Sequence, residues 1–308
     1  MELFLVAVVV AAMPVLFATL GELLSEKAGN LNLGVEGMMY MGAVIAFIAA
    51  ITTGNVFLTI LAAFVAGAAG AAIYAVLTVT LRANQVVTGL TLTIFGTGFS
   101  NFVGSGVSGM IVPQSIREFF SAVAVPGLSE IPFLGNILFN QSVFTYAGFI
   151  LTIMVSIYLR KTKAGLNLKA VGENAAAADA SGINVIMYKY VHVIVGGGLC
   201  GLGGAFMSIV SIPIWQDGLI AGRGWIAVAL VIFASWKPLK ALFGALLFGG
   251  LSIVGFRLQI MGINITQYII DMIPYVATII IVILSTRKNR KEDRAPADMG
   301  KAYFREER

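Results

Sequence analysis

The chain has 308 residues, of which 58% are hydrophobic and only 11% charged, with a formal net charge of +5. Water-soluble domains carry about 25% charged residues, so this composition excludes a soluble globular protein. The sole cysteine, Cys200, excludes an intrachain disulfide and a zinc cluster built on cysteines.

A bilayer crossing needs about 20 mostly apolar residues. Candidate segments in chain order are 3–20, 33–53, 56–80, 86–104, 143–159, 188–210, 223–236, 241–256 and 268–285. They predict an all-α, polytopic transmembrane helical fold of about 8–10 spans. The seventh and eighth candidates are short, which fits tilted, broken or re-entrant helices. Segment 105–142, with Pro113, Pro126 and Pro132, reads as an extramembrane or partly re-entrant excursion. Met1 and Glu2 precede the first apolar run without a basic region, so that run is expected to be retained as a span.

Placing the polar connector 160–187 in the cytoplasm puts seventeen of the 20 Lys and Arg residues on that side. The positive-inside rule then predicts an outside N-terminus and a cytoplasmic C-terminus. The domain organisation follows: a transmembrane domain over 1–285, whose 160–187 loop is cytoplasmic, and a basic tail over 286–308 expected to be disordered. Cations beside spans explain the basic pI without nucleic acid.

Four stretches carry more than hydrophobicity. Residues 21–39 mix charges and helix breakers between two spans; they form either an ordinary turn or backbone buried in protein. Glu36, followed at once by an apolar run, needs a partner or a helix N-terminus. In the fourth candidate span, Thr88, Thr91 and Phe95 share a helical face with Asn84 one turn earlier. Such groups either glue helices together or line a pathway. The 160–184 connector holds four cations in its first ten residues and carries an alanine-rich run. That run predicts a two-turn helix over 173–181, ended by Gly182 as a left-handed C′ residue. Glu173 near its start complements the helix dipole. The fourth stretch, 211–240, holds Trp215 and Trp236 near opposite membrane faces, where interfacial anchoring accounts for them.

Together these stretches resemble the permease subunits of bacterial ABC importers in the branched-chain amino acid and simple-sugar permease superfamily. Purine nucleoside uptake permeases are the nearest likeness. The residues that carry it are 21–39, Ala-Asn-Gln-Val-Val-Thr-Gly-Leu at 83–90, Gly-Leu-Asn-Leu-Lys-Ala-Val-Gly-Glu-Asn at 165–174, and 221–238. The chain departs at Ala175, where the family usually carries proline. The resemblance implies a multi-pass bacterial cell-membrane subunit, not an enzyme, that takes up purine nucleosides or a similar ribose-bearing solute, with simple sugars or vitamins as the alternative. Implied partners are a second permease subunit in a heterodimer, two cytoplasmic ATPase subunits and an extracytoplasmic solute-binding protein. The chain lacks the phosphate-binding P-loop motif, so ATP is expected on the partners and no cofactor or metal on this chain. Coupling to the ATPase falls to Gly172, Glu173, Asn174, Asp179 and Gly182. The expected substrate path comprises Asn84, Gln85, Thr88, Thr91 and Phe95, with Phe95 stacking on a base.

A gradient-driven secondary transporter is the alternative from another class. His192, the single histidine, lies in the sixth candidate span and Asp271 in the ninth. They offer a proton relay, although a lone intramembrane histidine is more often helix glue. No catalytic constellation is present in the sequence.

Overall fold

Polar caps and glycines divide the apolar chain into helices. The structure, a computed structural model, describes residues 2–260, scattered positions between 266 and 283, and 294–305. Asp271 and half of the ninth candidate span fall outside the described residues. The helices are α1 (Glu2–Lys27), α2 (Val35–Thr53), α3 (Val56–Ala75), α4 (Gln85–Gly104), α5 (Gln114–Phe119), α6 (Leu134–Leu138), α7 (Val143–Lys161), α8 (Lys163–Glu173), α9 (Ala175–Ala180), α10 (Val185–Ala205), α11 (Arg223–Phe233) and α12 (Pro238–Ile260). Asn55, Asn84, Ser142, Thr162, Asn174 and Asn184 each accept a backbone N–H from the first turn of the helix that follows. Turns of π-helix extend α3 over Val76–Thr80 and α10 over Phe206–Ser211.

Six helices among the described residues are long and apolar enough to cross a membrane: α1, α2, α3 and α10 with their π turns, α4 and α7. The expectation of 8–10 spans is larger; of its other candidates, α11 has 11 residues, about 16 Å of helix against a hydrocarbon core of about 30 Å, and 268–285 is described only in part. The 105–142 excursion holds α5, α6 and an antiparallel pair of three-residue strands, β1 (Ala122–Ala124) and β2 (Asn140–Ser142). An all-α expectation did not include that pair.

α10 is the central helix and packs on α1, α2 and α3. Its apolar window is 78% buried, against 33% for those of α3 and α4. Lipid offers no hydrophobic drive for helix association, so close backbone approach through small residues matters most. Gly196, Gly197, Gly201 and Gly204 of α10 lie against the backbone carbonyls of Gly21, Gly67, Ala63 and Met39.

The 28–34 segment is the buried backbone that its polar sequence allowed, not an exposed turn. The Asn32 N–H donates to Glu22 Oε1 at 2.9 Å and the Leu31 N–H to Gln85 Oε1 at 2.7 Å, while the Tyr74 hydroxyl donates to the Leu31 carbonyl at 2.6 Å. Each buried polar backbone group so satisfied avoids the cost of an orphaned one. Trp236 is buried and donates its indole N–H to Glu26 Oε2. Trp215 is buried as well, with its ring 5.8 Å from that of Phe47. Interfacial anchoring therefore does not describe either tryptophan.

Candidate functional site

Helical spacing puts Thr88, Thr91 and Phe95 on one side of α4, with Val87 and Leu92 beside them. Ile73, Tyr74 and Leu77 from the end of α3 face them across a cavity of about 330 Å³. This is within the usual size of a small-molecule site, about 300–1,000 Å³. The walls are mostly apolar. The Thr88 hydroxyl donates to the Asn84 carbonyl at 2.8 Å and the Thr91 hydroxyl to the Val87 carbonyl at 2.9 Å. With their hydrogens spent on the helix, both oxygens are left as acceptors. Phe95 is half exposed and stacks on Phe99 with centroids 6.2 Å apart. The arrangement suits a flat solute that has hydrogen-bond donors on its rim.

Two residues expected in the path are used elsewhere. Asn84 caps α4, its side chain accepting the Val87 N–H at 3.1 Å. Gln85 is buried; it holds Leu31 and donates to the Lys301 carbonyl at 3.5 Å. Tyr74 and the other α3 residues were missed because an apolar wall reads like core until its partner helix is known.

The polar connector holds two helices, α8 and α9, where one was expected. α8 forms because Thr162 accepts the Gly165 N–H at 3.0 Å and Leu168 and Val171 are buried. α9 opens on Asn174, which accepts the Ala177 N–H at 2.9 Å. It closes as expected at Gly182, whose φ is +83°. The Ile183 N–H returns to the Ala178 carbonyl at 3.1 Å, completing the C-terminal turn. Gly172 lies against the Lys27 carbonyl, leaving no room for a Cβ. Glu173 ends α8 and is exposed. Asp179 was expected to take part in coupling to the ATPase. Its carboxylate accepts the Tyr303 hydroxyl at 2.7 Å and pairs with Arg305 at 3.2 Å. Residues 294–305, expected from their charge to be disordered, thus fold back onto this helix pair. Pro296 is buried there.

His192 is helix glue. Its Nδ1 lies 2.7 Å from the Tyr188 carbonyl and its Nε2 lies 2.7 Å from the Tyr158 hydroxyl. A carbonyl only accepts, so Nδ1 carries the hydrogen and Nε2 accepts from Tyr158. The ring also stacks on Tyr188, with centroids 5.6 Å apart. His192→Gln is expected to lower thermal stability by about 1 kcal/mol and leave solute uptake intact. Loss of uptake in a stable variant would restore the relay.

A family profile described as "Branched-chain amino acid transport system / permease component" matches residues 4–284. The chain is 42% identical to a putative glucose ABC transporter permease of Haloferax volcanii, over 82% of this chain and 77% of that protein. It is 35% identical to a nucleoside ABC transporter permease of Lactococcus lactis subsp. cremoris, over 92% of each. A guanosine ABC transporter permease of Bacillus subtilis is 34% identical, over 89% of each. No solved structure matches.

Proposed function

The chain belongs to the branched-chain amino acid transport system permease family, and on that premise we propose that it carries purine nucleosides, or a similar ribose-bearing solute, in an ATP-driven importer. It is a multi-pass cell-membrane ABC permease, and that membership replaces the gradient-driven alternative. The reading of its substrate is carried by the α4 face of Thr88, Thr91 and Phe95. An aromatic ring suits a nucleobase because every base has a π-face, and threonine oxygens accept ribose hydroxyls. The nucleoside and guanosine permeases among its relatives align along most of both chains.

In this reading α8 and α9 lie in the cytoplasm, where α9 docks with one of two ATPase subunits that consume the ATP. The stretch through α11, then α12 and the segment 268–285, brings the crossings to nine, with the N-terminus outside and residues 294–305 on the same side as α9. A solute-binding protein delivers the substrate from outside. The second permease is a different chain; a nucleoside ABC transporter permease of the Lactococcus strain at 23% identity, distinct from the one at 35%, supports that pairing.

Uptake of labelled guanosine by the reconstituted importer tests the substrate. Phe95→Ala and Thr91→Val are each expected to weaken uptake affinity about tenfold, as loss of one stacking or polar contact would. Unchanged affinity and rate in both variants would remove this face from the path. A hexose is the second reading, favoured by the Haloferax relative. Competition by glucose but not by inosine would select it.

A further inference from the structure

We infer that residues 294–305 form a strap that positions α9 and ties it to the start of α4. This inference rests on the proposed docking role of α9. The first helical N–H of α9 belongs to Ala175 and has no acceptor within its own helix. Asp298 Oδ2 accepts it at 2.8 Å. Proline at 175 would have no hydrogen to donate and would need no such acceptor. At the other end of α9, Tyr303 and Arg305 hold Asp179. Both ends of a six-residue helix are therefore fixed by the same passing segment.

The strap is itself fixed to the body of the fold. The Asp298 N–H donates to the Gly172 carbonyl at 3.0 Å and the Gly300 N–H to the Gly29 carbonyl at 3.1 Å. Ala295 and Met299 pack on the main apolar core. From there the strap makes one contact with the first residue of α4 and one with the segment just before it. The Lys301 carbonyl accepts from Gln85, the first residue of α4, and the Arg82 guanidinium lies over the Phe304 ring at 4.4 Å. Thr88 and Thr91 follow within two turns, in the cavity wall. A displacement of α9 by its ATPase partner thus has a short physical route to the cavity, through residues that contact neither ATP nor solute. Asp298, Tyr303 and Arg305 are positioning residues.

The test uses the full importer in proteoliposomes and reads ATP hydrolysis and solute uptake together. Wild type comes first: if it neither assembles with an ATPase nor takes up solute with ATP, the proposed function itself fails. In a working importer, the triple variant Asp298→Ala, Tyr303→Phe, Arg305→Ala is expected to keep ATPase assembly and hydrolysis. Uptake per ATP is expected to fall about tenfold. Asp298→Asn keeps a side-chain acceptor and is expected to restore most of the ratio when placed in the Asp298→Ala background's stead. An unchanged ratio in the triple variant overturns the strap, and so does a higher one, which would mark it as a brake. Parallel loss of assembly and thermal stability, with Asp298→Asn no better than Asp298→Ala, also overturns it.

Discussion

Gly201→Val is expected to leave little folded protein in the membrane. Gly201 stands where three helices meet: a Cβ there would strike the Ala63 carbonyl of α3 and come within 3.1 Å of the Gly67 backbone. On its other side, Gly42 of α2 is so close that a Cβ built at Gly42 would strike Gly201. None of these obstacles is a flexible side chain, so the helices themselves must part. Overpacking of a tight core costs about 3 kcal/mol, a large share of a net stability of about 5–15 kcal/mol. Because packing holds these helices together in lipid, the separation spreads along α10. Fluorescence-detected size exclusion of detergent extracts would show the loss as a vanished monodisperse peak. Gly98→Ala is the control, since nothing lies within 4 Å of a Cβ at that position. A normal peak for Gly201→Val would mean that α10 is not packed as described.

Glu36→Ala is expected to be nearly as damaging for a different reason. Glu36 sits in the first turn of α2 and its carboxylate also caps α11. Oε1 accepts the Gly222 N–H at 2.8 Å and Oε2 the Gly224 N–H at 2.6 Å. One negative group thus faces the positive ends of two helices. Gly224 lies so close to the Glu36 backbone that a Cβ there would be 2.5 Å away, so α11 starts in direct contact with α2. Two orphaned N–H groups in a partly buried site cost about 3 kcal/mol. Glu36→Gln retains one acceptor and should lose about half as much. Thermal unfolding of the purified variants measures both. Equal midpoints for Glu36→Ala and wild type would show that the cap contributes nothing.

Much of this architecture was legible in the residue pattern. The helix starts at Asn55, Asn84, Asn174 and Asn184 follow from side chains that compete well for orphan N–H groups, and Gly182 marks the end of α9 for a conformational reason. The awkward charge of Glu36 pointed to a helix N-terminus, and it caps one. What stayed hidden depended on partners remote in sequence. A polar residue on an inward helix face looks the same whether it lines a cavity or holds a buried loop. Thr88 and Gln85 stand three residues apart and do these different things. α8 was missed because its apolar residues are few and face one side of a charged segment. The strap was missed because charge dominates residues 286–308, although Pro296, Tyr303 and Phe304 within it are the sort of residues that pack.

The cap on Ala175 also sets an order of events during synthesis. Asp298 lies 123 residues beyond Ala175. At about 5–20 residues per second, the N–H of Ala175 waits at least several seconds after it leaves the ribosome before its acceptor exists. Until then α9 has only its Asn174 cap and its C-terminal turn, and α10, α11 and α12 are laid down in the meantime. A chain interrupted between residues 260 and 298 would hold the sequence of all twelve described helices and still lack the acceptor for the Ala175 N–H.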